Sequence, residues 1–465
     1  MTTSLELLLT TALIAVVSSG LSVAVGLPIG FWLSALPPTY ARAVATLVTV
    51  PFLLPPFLVG ISVSIYTSEL EVNSTNGMFL VLIAHTLMNA GFIARVVASK
   101  SLERDQIDAA RLDGASNFQM RRLIQIPQLL PSVASAALLV ALYSSTSYGL
   151  VLTLTDGKVQ TLETQISLSA LQYLDLDQAS VLALMQTGLT ILFFIAATRF
   201  SAQPGSLSEI EQSPINPGLP SRLSGVLFCS AVLMVLLAVL LRSNWGDGIV
   251  ANLNNLGSKG TRSLLNISVL EAAINSARNA LLVIALVTPI AWVLAKRKKP
   301  RLIAILPAGL SPVVLGLAAL AISGYIPREI TSGWLLLPLV QVLFALPICY
   351  QVLHPARQNF ELEQREAAAL DGAGKLKSFW FIELPQLRRS TALAASFAGL
   401  TSLGEFGAAS FLAFGSNETL PIVMYQLAGR PGGDNYGMVM VAAAIYILLT
   451  AWIVWLLAKP AKTHS

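Results

Sequence analysis

Residues Glu366–Leu387 read EAAALDGAGKLKSFWFIELPQL, and residues Asp108–Leu129 read DAARLDGASNFQMRRLIQIPQL. Without a gap, ten of the 22 aligned positions are identical, the Leu-Asp-Gly-Ala core among them. Each copy interrupts a long apolar stretch with a short charged helix. Asp108 or Glu366 opens it, where a negative charge suits the positive end of the helix dipole. Ala109 and Ala110, or Ala367 and Ala368, are small enough for another surface to come close. Gly114 or Gly372, directly after Asp113 or Asp371, either breaks the helix or permits a tight backbone contact. An amphipathic turn follows, carrying Arg121 and Arg122 or Lys375 and Lys377. Pro127 or Pro385 then marks entry into the next apolar helix, where a missing N–H costs little.

The surrounding chain is that of a membrane protein. Its 465 residues are 55% hydrophobic and 11% charged, against about 25% charged in soluble domains. Mean hydropathy is +0.71. Cys229 and Cys349 both lie in apolar runs and suggest neither a disulfide framework nor a metal site. The N-terminal apolar run lacks a basic leader and is longer than a signal-peptide core, so it reads as a retained span.

Segments of the roughly 20 apolar residues needed to cross a bilayer fall near 5–35, 43–67, 77–98, 131–155, 179–198, 222–241, 272–295, 302–324, 332–353, 390–414 and 437–458. The expectation is an all-α integral membrane protein with about eleven transmembrane helices. With both quoted segments, the KRKKPR turn and the C-terminal tail inside, only seven of the 29 Lys and Arg residues remain outside. These are Lys158, Arg242, Lys259, Arg262, Arg278, Arg328 and Arg430. The positive-inside rule then sets the N-terminus outside and the C-terminus in the cytoplasm. The net charge of +5 reflects this topology and calls for no nucleic-acid partner.

The repeat extends beyond the charged segments. PFLLPPFLVG (51–60) lies over PAGLSPVVLG (307–316), and Gly149 over Gly407. An internal duplication follows, and the even number of spans between the two segments makes the repeats parallel. The first half covers residues 1–198 with its charged segment at 100–127. A linker rich in Pro, Ser and Gly occupies 199–221. The second half covers 222–465 with its charged segment at 356–385.

On physics alone, the charged segments fit either a cytoplasmic partner's groove or interfacial helices capping the bundle. The pattern is more specific. Glu366-Ala367-Ala368, Gly372, Ile382 and Leu384-Pro385 resemble the EAA motif of ATP-binding-cassette (ABC) importer permeases, and the first copy departs only at Asp108 and Ile126. The resemblance implies a type I ABC importer permease fold in which each segment couples to a cytoplasmic ABC ATPase subunit. It therefore implies two such subunits, an external or periplasmic solute-binding protein, and residence in the cell membrane. ATP would be bound by those partners. DGAGKLKS (371–378) is not a phosphate-binding loop: Ala369, two residues before it, stands where the first Gly is needed, and Leu376 where Ser or Thr is needed. No cofactor or metal is expected in this chain, and no enzymatic activity.

Over nearly the whole chain the resemblance is to fused two-half permeases that import thiamine or ferric iron. Residues 160–186 and 402–429 look most like thiamine permeases, which points to thiamine or thiamine phosphates, with ferric iron as the alternative. Such permeases have six spans per half, so the counterpart of the first helix is expected to be missing here. An integral membrane enzyme would want clustered His or acids, but the three histidines are dispersed. An ion-driven secondary transporter would want coupled carboxylates, and Glu405 stands alone.

Pathway candidates are polar or aromatic groups in apolar spans. His85 and Asn89 lie one turn apart and serve either as helix glue or as a substrate contact. Glu405, with Phe406 beside it, matches Ser147 of the other half. It is either a pathway acid or a charge at the outer membrane boundary. Tyr143, Ser144, Ser145, Thr146 and Tyr148 form the facing polar strip of the first half, and Tyr143, Ser147 and Tyr148 join the pathway candidates. Prolines such as Pro28, Pro51, Pro55, Pro56, Pro289, Pro307, Pro312 and Pro347 mark either packing kinks or interrupted helices lining a path.

Overall fold

A computed structural model describes residues 3–67, 72–100, 104–200, 210–213, 215–260, 263, 265–296, 304, 306–325, 334–358, 374–430 and 432–457. Among them every regular element is helical. In chain order the α-helices are α1 (Ser4–Ser34), α2 (Pro38–Leu53), α3 (Pro56–Thr67), α4 (Ser74–Ala98), α5 (Arg104–Leu112), α6 (Asn117–Met120), α7 (Ile126–Ser145), α8 (Tyr148–Thr155), α9 (Leu162–Leu171), α10 (Leu176–Phe200), α11 (Gly218–Arg242) and α12 (Ile249–Asn255). Then follow α13 (Val269–Leu294), α14 (Pro312–Ser323), α15 (Leu336–Gln358), α16 (Lys375–Ser378), α17 (Leu384–Leu403), α18 (Ala409–Leu412), α19 (Leu420–Ala428) and α20 (Gly433–Leu457).

Eight described helices are long and apolar enough to cross a membrane. All eleven segments expected from the sequence contain helix, but four of them are not single straight spans. The segment expected at 43–67 is α2 and α3, bent by 101° at Leu54-Pro55. Proline cannot donate the ladder hydrogen bond and disfavours helix in the residue before it. The segment expected at 302–324 contains a 3-10 turn at Leu306–Gly309 and then the twelve-residue α14. The other two are broken near their ends, between α7 and α8 and between α17 and α18.

The described packing forms two compact units, Met1–Ala272 with Leu420–Ser465, and Ala273–Thr419. In the first, α1 packs on α4, α7 and α11, α10 on α7 and α9, and α20 on α2, α11 and α12. In the second, α15 packs on α17, and α14 on α15 and α18. Hydrocarbon tails give little hydrophobic drive between spanning helices, so small residues that let backbones meet carry much of the association. Gly26 and Gly30 of α1 form such a small-xxx-small pair against α4. A Cβ at Gly26 would lie 2.6 Å from the Ala90 carbonyl, and one at Gly30 would lie 2.8 Å from that of Ala94. Thr3 caps α1 reciprocally with Glu6.

Candidate functional site

The first charged segment is a helix-turn-helix whose turn depends on one glycine. Gly114 has φ +78°, a conformation that costs other L-residues roughly 1–2 kcal/mol. Its N–H reaches the Arg111 carbonyl at 3.0 Å, and the Ala115 N–H reaches that of Ala110 at 2.9 Å. This is a Schellman termination of α5. A Cβ on Gly114 would meet nothing within 4 Å, so its outer side is open. Ser116 and Gln119 then start α6 with a reciprocal cap.

Between α5 and the following turn lies a groove of about 410 Å³, lined in part by Ala109, Ala110, Asp113, Ala115 and Leu123. Three of the predicted coupling residues therefore share one concave face. Asp108 does not open the helix as expected: α5 already runs from Arg104, which puts Asp108 in its second turn, away from the positive end of the dipole. Asp108 and Pro127 are exposed. The sequence reading passed over Leu112 (89% exposed), Phe118 (69%) and Leu123 (68%). Their signal was available, since large apolar residues recur inside an otherwise charged segment.

Arg121–Gln125 is a single turn of π-helix leading directly into α7. Phe379–Glu383, at the same register of the second repeat, is also a π-helical turn and leads into α17. A π-turn inserts one residue per turn and is enriched at functional sites. Glu366, Ala367, Ala368, Asp371 and Gly372 lie outside the described residues. Pro385 is exposed in the first turn of α17, and Trp380 and Phe381 beside it are 56% and 78% exposed.

What supports the turns differs. Arg121 sits over the Phe31 ring at 4.7 Å and donates to the Pro217 carbonyl at 2.7 Å. Ile215 packs with Ile107, Ala110 and Met120 under the first charged segment. The Glu211 and Ser213 N–H groups bond the carbonyls of Ala98 and Ser34. Residues 210–213 and 215–217 of the expected linker thus strap the ends of α1 and α4 to the first charged segment. In the second repeat, Arg357 of α15 pairs with Glu383 at 2.7 Å, with both side chains buried. It also bonds the Trp292 carbonyl at 2.8 Å and sits over that residue's ring at 4.5 Å.

The far ends of α7 and α17 carry the breaks, again at one register. Ser147 lies between α7 and α8, and Glu405 between α17 and α18. Glu405 is 6% exposed, and its two carboxylate oxygens accept from the N–H groups of Ala408 at 2.6 Å and Ala409 at 2.9 Å. The acid closes the loop and opens α18. Phe406 is buried next to it. A buried glutamine bonds the carbonyl end of each interrupted helix: Gln186 reaches Ser145 at 3.0 Å, and Gln341 reaches Ser402 at 3.4 Å. The sequence reading missed both, although a glutamine inside an apolar span was the available sign.

The remaining candidates separate. The Tyr148 hydroxyl meets Ser167 Oγ at 2.8 Å, while Tyr143 is 40% exposed and touches the edge of Phe52. His85 and Asn89 are buried at the α1–α4 contact. His85 Nδ1 lies 3.0 Å from Ser18 Oγ, and Asn89 Nδ2 donates to the His85 carbonyl at 2.8 Å. No group of three or more His, Cys, Asp or Glu able to hold a metal occurs among the described residues.

A family model described as binding-protein-dependent transport system inner membrane component matches residues 26–203 and 232–459. The thiamine transport system permease protein ThiP of Salmonella typhimurium is 24% identical over 420 residues, 84% of this chain and 74% of its own length. The sulfate transport system permease protein CysW of Synechococcus elongatus is 25% identical over 44% of this chain and 77% of its own. The molybdenum transport system permease protein ModB of Escherichia coli is 28% identical over 32% of this chain and 73% of its own.

Proposed function

Because the chain belongs to the family of binding-protein-dependent transport system inner membrane components, we propose that it is the membrane-spanning subunit through which an ABC importer moves thiamine or a thiamine phosphate. Membership makes it a multi-pass permease of the inner membrane, built as two permease halves in one chain. The cargo reading is carried by coverage: the thiamine permease aligns along 84% of the chain, whereas the sulfate and molybdenum permeases align over less than half.

In this reading a solute-binding protein delivers cargo to the outer face, and two ATPase subunits engage the coupling segments. ATP turnover belongs to those partners. Motion enters at Ala109–Gly114 and its counterpart and passes through the π-turns into α7 and α17. Each of these helices has 20 residues, so it transmits a tilt over about 30 Å. The breaks at Ser147 and Glu405 lie at their far ends, where a small rotation opens or closes a path between rigid halves.

The test is uptake of labelled thiamine and of labelled ferric iron in cells with and without the chain. Loss of thiamine uptake alone, abolished also by ATP depletion at an intact membrane potential, is the expected result. Iron uptake that depends on the chain, with thiamine uptake unaffected, overturns the cargo reading and leaves the family assignment standing.

A further inference from the structure

The short helix α12 is built inside out. Its one fully buried residue is Asn252, at 1% exposure, while Ile249, Val250 and Leu253 are 45%, 68% and 44% exposed. A helix facing water does the opposite and buries its apolar side. The buried amide has a structural task. Asn252 Nδ2 donates to the carbonyls of Ser243 at 2.9 Å and Trp245 at 2.8 Å, just past the end of α11. Gly437 of α20 comes so close that a Cβ there would overlap the Asn252 amide. Asn252 thus clamps α12 to the end of α11 and against α20, and all three helices belong to the first compact unit.

The position of α12 follows from α11, which is long and apolar enough to cross a membrane. It begins at Gly218, directly after the Pro217 whose carbonyl Arg121 holds at the first charged segment. Its 25 residues span about 37 Å, more than the roughly 30 Å hydrocarbon core of a bilayer. α12 therefore sits at the membrane boundary opposite that charged segment. Leu233, Leu237 and Leu241 of α11 are exposed at intervals of four residues and form one lipid-facing ladder. The exposed Trp245, Ile249 and Leu253 continue the apolar series past the helix end at the same interval. At the turn between the helices, the Arg242 guanidinium lies over the Trp245 ring at 4.5 Å. A tryptophan and a long cation suit the headgroup level, where each keeps its apolar part in lipid and its polar part in water.

We propose that α12 and Trp245 form an interfacial element, with Ile249, Val250 and Leu253 seated in the bilayer where headgroups meet acyl chains. The occupant of this face is lipid and not a second protein, because the face continues the lipid-facing ladder of α11 and is edged by the Arg242–Trp245 pair. Seated there, α12 fixes the depth of the α11 and α20 ends and is closed to any protein arriving from the water. The inference rests on the membrane family and holds whether or not the cargo is thiamine.

The experiment uses the full, unmodified chain in phosphatidylcholine nanodiscs in which part of the lipid carries a diazirine early in one acyl chain. After illumination, mass spectrometry maps the lipid adducts, and the exposed Leu233–Leu241 stretch serves as internal standard. The expected result is adducts on Trp245–Leu253 at a yield comparable to the standard. Val250→Asp, an exposed change that spares the Asn252 clamp, is expected to cut the α12 yield severalfold and leave the standard unchanged. Adducts on the standard without adducts on Trp245–Leu253 overturn the proposal, whether water or a protein covers the face. So does an α12 yield that Val250→Asp leaves unchanged. If Val250→Asp fails to fold, the map of the unmodified chain decides alone.

Discussion

At the first charged segment the π-turn Arg121–Gln125 is held by chain that arrives from 96 residues further on, with Pro217 accepting from Arg121 and Ile215 filling the underside. At the second, the matching turn Phe379–Glu383 is held by the helix just before the segment, through the buried Arg357–Glu383 pair and the Trp292 ring. The same register is buried in both, with Gln125 at 3% and Glu383 at 4% exposure, but only the second carries a charge. Duplication kept the backbone device and replaced its anchor. A buried carboxylate is tolerable where a guanidinium reaches it, and a neutral amide serves where none does.

The difference is open to attack at several points. The largest effect is expected at Arg357. Arg357→Met strands the Glu383 carboxylate, and breaking a buried pair typically costs about 3–5 kcal/mol. Thermal unfolding in detergent should show a large drop, and Arg357→Met with Glu383→Leu should recover most of it. Equal drops in the single and double variants would show that the pair is not the anchor.

Next comes Arg121→Gln, which removes a charged donor worth about 1.5–3 kcal/mol. Its readout is local, as faster proteolysis within residues 210–217 with little change in global unfolding. Unchanged proteolysis would mean that the strap is held without Arg121.

The breaks extend the comparison to the other ends of α7 and α17. Glu405→Gln replaces an acceptor of two N–H groups by an amide with one acceptor oxygen and should cost about 1–3 kcal/mol. Ser147→Ala at the matching register should stay within about 0.5 kcal/mol, and equal effects would erase the distinction between the breaks. Gly114→Ala carries an intrinsic cost of only roughly 1 kcal/mol, from its left-handed backbone. Its consequence should appear as severalfold weaker co-purification of the ATPase at unchanged membrane insertion.

Apolar runs and repeated motifs were legible in the sequence because composition and identity carry them directly. The glycine of the repeated Leu-Asp-Gly-Ala core signalled either a helix stop or a close backbone contact; Gly114, with its positive φ and no neighbour within 4 Å of a Cβ, supplies the stop. The 43–67 run looked like one span because hydropathy records depth and not direction, while Leu54-Pro55 turns the chain by 101°. The π-turns were not legible, since no residue preference marks them and packing at both ends sets them. Nor was the Arg357–Glu383 pair, whose partners are 26 residues apart in different helices. Residues 210–213 read as a linker for want of periodicity, and they have none; they are held by backbone bonds from Glu211 to Ala98 and from Ser213 to Ser34.

The central claim is that the two repeated segments are two docking points for a motor outside this chain. Native mass spectrometry of the chain extracted from membranes with its ATPase tests it most directly. The account predicts two ATPase subunits per chain, with Ala110→Asp, which puts a charge on the floor of the first groove, lowering the count toward one. A single ATPase on the unmodified chain, or a count of two that Ala110→Asp leaves unchanged, would contradict it.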